Sequence, residues 1–175
     1  MDKPKLVEPT MEYANEILNF RQEFLDCGDS MDGSSSLRKF ERVEDWLKEV
    51  ERFKRRETVP SGLVPSTQFI CIRESDRRLV GMIQIRHELN DFLRNYAGHI
   101  GYSVRPSERR KGYAAWMLSS VLPYCKSLDI NDVLVSCLVG NEGSRRTILR
   151  NGGVYAETVL EPREDVLLEK YWIHI

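Results

Sequence analysis

The sequence predicts an α/β domain whose mixed, mostly antiparallel sheet contains one parallel strand–helix–strand crossover and is flanked by helices. Three observations lead there. Residues 68–73 and 79–86 are apolar, β-branched runs joined by the short polar segment 74–78, the pattern of an antiparallel hairpin. The alternating run 98–104 passes through a basic turn into the helix-like run 114–122 and then into 132–138. That last run is nearly all apolar, as in a strand buried on both faces. Strand, helix and strand over 98–138 then form a right-handed parallel crossover.

In chain order, Lys5 to Glu8 reads as a short first strand. Thr10 is placed to cap a helix whose Tyr13, Ile17, Phe20 and Phe24 share one face, and Gly28 follows its end. The glycine- and serine-rich stretch 27–36 reads as a loop. Val43, Trp46, Leu47, Val50 and Phe53 mark a second amphipathic helix that ends before Pro60 and the loop 61–66. After the hairpin, residues 87–97 form a polar link to a third strand over 98–105. A helix is expected over about 112–127, with Pro123 forfeiting one internal hydrogen bond. A short helix follows Asn141 and stops at Asn151-Gly152-Gly153, and a last hairpin pairs 154–160 with 166–174.

A chain of 175 residues suits one domain with a sizeable core. Residues 1–66 are expected to supply helices and loops on one side of that domain, and 67–175 its sheet and further helices. Formal net charge is −1, which argues against nucleic acid or anionic membrane as a partner. No apolar run follows the first residues, and none approaches the ~20 residues of a membrane span, so a cytoplasmic protein is expected. Cys27, Cys71, Cys125 and Cys137 show no close-spaced metal pattern, and no metal is expected.

Chemistry concentrates at 104–114, Val-Arg-Pro-Ser-Glu-Arg-Arg-Lys-Gly-Tyr-Ala. A basic, glycine-containing turn between a strand and a helix N-terminus suits a pyrophosphate: free N–H groups converge there and the helix dipole is positive. Gly112 lets the main chain approach closely. The nucleotide P-loop and three-glycine dinucleotide patterns are both absent. Arg109-x-x-Gly112-x-Ala114, after a strand ending in Val104-x-Pro106, resembles the acetyl-CoA loop of the GNAT superfamily of N-acetyltransferases. Val139 to Gly153 carries the second half of the resemblance.

The resemblance implies an acetyl-CoA-dependent N-acetyltransferase in which a primary amine attacks the thioester. Arg109, Arg110, Lys111, Gly112, Tyr113 and Ala114 would wrap the coenzyme's pyrophosphate, chiefly through main-chain donors. Asn141 and Ser144 would border the pantetheine arm, although Asn141 is equally read as a plain helix cap. A backbone N–H near Val104 would stabilise the reacting carbonyl oxygen. Many family members place an acid tyrosine where this chain has Ile148, so Tyr102, Tyr155 or water must substitute. Gly98-His-Ile-Gly-Tyr102 is similar to an Ala-Glu-Ile-Gly-Tyr run in relatives that acetylate ribosomal-protein N-termini, with His99 in place of the glutamate. His99 is the candidate general base and Tyr102 the reserve catalytic group. Strand alternation sets His99, Gly101 and Ser103 against Ile100, Tyr102 and Val104, and a bulge would swap the faces. Loops 27–36 and 60–66 are expected to border the pocket of a small-molecule or peptide amine, and a homodimer stays open. The alternative is a non-catalytic acyl-CoA-binding sensor of the same fold.

Overall fold

The computed structural model describes residues 4–175. Seven strands form one sheet: β1 (Pro4–Val7), β2 (Ser66–Arg73), β3 (Leu79–Arg86), β4 (Ile100–Val104), β5 (Asp132–Leu138), β6 (Val154–Glu161) and β7 (Val166–His174). Their order is β1-β2-β3-β4-β5-β7-β6, and every neighbouring pair is antiparallel except β4 and β5. Four helices, α1 (Ala14–Cys27), α2 (Val43–Phe53), α3 (Tyr113–Ser127) and α4 (Glu142–Arg150), complete the domain. The mixed α/β class expected from the sequence is the class found.

Two cores sit on opposite faces of the sheet. On one, Ile17, Phe20 and Phe24 of α1 and Trp46 and Val50 of α2 pack on Ile70, Ile72 and Met82. On the other, Met117, Leu118 and Val121 of α3 cover Cys71, Ile83, Ile85 and Val133. Side chains alternate between these faces because strand periodicity is two. A register shift between Cys71 and Ile72 inserts Val80 opposite them, and the alternation resumes beyond it. Cys71, Cys125 and Cys137 are buried free thiols. Burial pushes them up, Cys71 to about 12 and the other two to about 11, so they act as small hydrophobes.

Three local differences from the sequence reading have physical causes. Thr10 precedes a single 3₁₀ turn, Met11–Tyr13, and its side chain makes no capping bond; α1 proper starts at Ala14. The link 87–97 is not wholly irregular: it contains a π-helical turn, Leu93–Ala97, where the Asn90 side chain accepts the Leu93 amide at 2.9 Å. Finally, β4 begins at Ile100, because His99 turns its amide onto the Leu134 carbonyl at 2.7 Å.

Candidate active site

The parallel pair is barely a pair. Ile100 and Val135 are its one registered position, and beyond it β4 and β5 diverge. Toward β3, the Arg86 amide bonds His99 O at 2.8 Å and the Arg105 amide bonds Val80 O at 2.9 Å. Antiparallel alternation therefore turns the Tyr102 and Val104 amides the other way, into the widening gap. A cavity of about 890 Å³ occupies this gap, lined along β4 from Ile100 to Val104 and along β5 by Ser136, Cys137 and Leu138.

At one end lies the basic turn. Arg110 and Gly112 take left-handed conformations, φ 63° and 86°. The amides from Arg110 to Ala115 donate to no acceptor among the described residues, since the first helical bond of α3 is Trp116 N–H to Gly112 O. Arg109, Arg110, Gly112, Tyr113, Ala114 and Ala115 all line the cavity. A helix start that presents unpaired donors to a cavity fits a pyrophosphate.

The turn is held from behind by charge. The Glu108 carboxylate, its side chain 4% exposed, receives Arg73 at 2.7 Å and Lys111 at 2.8 Å. Burial alone would raise its pKa, but these cations outweigh it and hold the group below its usual value. Lys111 is thus turned away and does not line the cavity. Arg105 is buried, with Nη1 3.2 Å from Glu16 and Nε 2.9 Å from Glu23. The Nε contact is poorly angled for a hydrogen bond and is chiefly electrostatic. Arg109 bridges sideways, to Val104 O at 3.2 Å and to Asp29 at 2.6 Å.

Along the wall, Asn141 caps α4 by accepting the Ser144 amide at 3.1 Å. Ser144 Oγ lies 2.7 Å from Tyr102 Oη, and all three residues line the cavity. Burial raises the Tyr102 phenol well above its ordinary value, so it stays protonated at neutral pH. Ile148 is fully buried, and Tyr155, 54% exposed, bonds Thr158 away from the cavity. Thr147, Arg146 and Arg150 of α4 also face the cavity. The sequence reading passed over them, though 143, 147 and 150 recur at helical spacing.

Asp29 lies against the basic turn through Arg109, and the rest of the lining comes from Ser30, Asp32 and Gly33 of the loop after α1, from Phe92, Tyr96 and Ala97, from Arg86, and from Glu161 and Glu164 at the β6–β7 turn. Loop 27–36 therefore borders the cavity, whereas no residue of 60–66 lines it. His99 is absent from the lining as well. It is 6% exposed, and its Nδ1 accepts the Leu134 amide at 2.9 Å. Burial, with help from Arg86 and Arg94, pulls its pKa down to about 4.

The family description "Acetyltransferase (GNAT) domain" matches residues 10–154. No curated protein matches the chain. Among solved structures it is similar to a microcin C7 self-immunity acetyltransferase in complex with acetyl-CoA and AMP, at 19% identity and TM-score 0.71, covering 100% of this chain and 94% of that one. It is also similar to the ribosomal-protein-S5-alanine acetyltransferase of Vibrio fischeri, at 13% identity and TM-score 0.72, covering 99% and 94%. A ribosomal L7/L12 α-N-protein acetyltransferase in complex with coenzyme A gives 15% identity and TM-score 0.72, covering 98% and 94%. At these identities the likeness is one of fold.

Proposed function

The chain belongs to the GNAT acetyltransferase family, and from that premise we propose that it transfers an acetyl group from acetyl-CoA to a primary amine. The observation that carries this reading is the row of unpaired amides from Arg110 to Ala115, facing the cavity where β4 and β5 part. Those amides suit the pyrophosphate, with Arg110 and the α4 arginines beside them. Asn141, Ser144 and the free edge of β5 suit the pantetheine arm. When bound, acetyl-CoA supplies an activated thioester carbonyl.

This chain's own residues do the rest. The Val104 and Tyr102 amides are the donors available to a carbonyl oxygen in the splay. Tyr102 and Ser144, bonded to each other, are the hydroxyls placed to return a proton to a leaving thiolate, a role Ile148 cannot fill. An arriving ammonium must lose a proton first. In this reading Asp32 and Glu164 take it directly or through water, because the His99 ring is committed to Leu134 and the Glu161 carboxylate to the Arg163 and Glu164 amides at 3.1 and 2.8 Å. Two of the similar proteins are named as acetyltransferases of ribosomal proteins, one of them at the α-N position, which supports an amine acceptor here.

The test is calorimetric titration with CoA, followed by free-thiol release from acetyl-CoA over a panel of amines. Micromolar CoA binding with amine-dependent thiol release is the expected result. Binding without turnover on any amine leaves the acyl-CoA sensor instead, and no binding removes both readings.

A further inference from the structure

Away from the basic turn and α4, the cavity holds one cation that its surroundings do not balance. Arg86, the last residue of β3, lines the cavity and donates Nη1 to the Gly98 carbonyl at 3.1 Å. No carboxylate among the described residues lies within 4.0 Å of its guanidinium. The buried Arg105 and the mostly buried Arg73, by contrast, each hold carboxylates. Asp32 acts on Arg86 only from longer range, and its own carboxylate takes the Ser30 hydroxyl at 2.9 Å. Burial draws the pKa of the half-buried Arg86 down to about 10 against the opposing pull of Asp32, and the guanidinium stays charged at neutral pH.

The guanidinium borders the seam between two glycines. A Cβ on Gly101 would lie 3.6 Å from Arg86 Nη2 and 3.2 Å from the Gly33 backbone, so Arg86 Nη2 sits beside the place where the loop after α1 packs on β4. Gly33 and Ala97, both small, line the cavity with Arg86. Asp32, Glu161 and Glu164 line the same cavity, so both signs of charge face it.

Resting on the acetyltransferase reading above, we propose that the acceptor carries a carboxylate or phosphate group besides its amine, and that Arg86 binds this group and sets the enzyme's specificity. A guanidinium presents paired N–H donors that match either oxyanion, and a desolvated one gains most from such a partner. The acidic side chains then receive the ammonium end. Purely cationic amines such as polyamines meet Arg86 as a like charge and are poor acceptors.

The experiment compares matched acceptors in wild type, Arg86→Gln and Arg86→Lys: alanyl-phenylalanine with its C-terminal amide, and O-phosphoethanolamine with ethanolamine. The readout is the ratio of kcat/KM, anionic over neutral. Binding of each compound to the CoA-loaded protein is measured in parallel by calorimetry. The expected wild-type ratio is about tenfold or more for at least one pair, falling to about one in R86Q and partly kept in R86K. The dipeptide and phosphate arms separate the two sources of the anion. A ratio near one in wild type, or one unchanged in R86Q while CoA still binds, overturns the proposal. So does the absence of Arg86-dependent binding by every anionic compound. Arg86-dependent binding of the anions without thiol release on any acceptor would instead refute the acetyltransferase reading and leave the anion site standing.

Discussion

Gly33 and Gly101 meet backbone to backbone: a Cβ built on Gly33 would lie 2.0 Å from the Gly101 carbonyl oxygen, and one on Gly101 would lie 3.2 Å from Gly33 Cα. The loop after α1 is thereby seated on β4 just where that strand leaves β5. With φ at 65°, Gly33 also occupies backbone space that side chains disfavour.

Gly33→Ala is expected to lift this loop off the strand and to cost about 1–3 kcal/mol. KM for the amine should rise severalfold while CoA affinity falls less, since the loop reaches the basic turn only through the exposed Asp29–Arg109 pair. Steady-state kinetics with each substrate varied in turn, plus a melting curve, check it. A selective loss of CoA affinity would show that the loop serves the cofactor end instead.

Gly112→Val places a β-branched residue at φ 86°, which only glycine holds without strain. CoA affinity should fall about tenfold or more. Lys111→Ala should cost far less, because Glu108 already holds that ammonium away from the cavity. Arg105→Ala makes no phosphate contact to lose; it strands the Glu16 and Glu23 carboxylates and should lower stability by about 2–4 kcal/mol. Calorimetry and denaturant titration on the three variants separate a binding defect from a folding one.

His99 links stability to pH. Its folded-state pKa, about 4, lies below the unfolded value near 6.5, so the unfolded chain binds the proton first. Its contribution is complete above pH 6.5 and is lost as pH falls from there toward 4, by up to about 3 kcal/mol. His99→Phe should flatten that segment of the profile. It should also cost about 1–3 kcal/mol at neutral pH, because the Leu134 amide loses its acceptor. Denaturant midpoints between pH 4 and 7 for both proteins decide this. If His99 were instead the base, turnover near neutral pH would lose its rising limb in His99→Gln with stability unchanged.

Ser144→Ala and Tyr102→Phe each remove one hydroxyl of the 2.7 Å pair. Each should lower kcat about 10- to 100-fold with acetyl-CoA KM nearly kept, and the double variant should lose little more than the worse single one. Additive losses would mean that the two hydroxyls act separately.

The alternation in 68–86, the apolar run of 132–138 and the basic turn at 109–114 determined the α/β class and the place of a strand-to-helix turn with unpaired amides. Each is a local pattern whose meaning is set by strand and helix periods and by backbone donors near in sequence. What the sequence left open was direction and pairing. Whether His99 met substrate or core depended on where β4 begins, and that was decided by the Leu134 carbonyl and amide, 35 residues downstream. Lys111 and Arg110 look alike in sequence, yet Glu108 takes one and leaves the other facing the cavity. Arg86 read as an ordinary strand end. Only the tertiary structure brings Gly98 and the Gly33–Gly101 seam beside it, because a half-buried guanidinium with no carboxylate in contact is a property of the assembled fold rather than of any single segment.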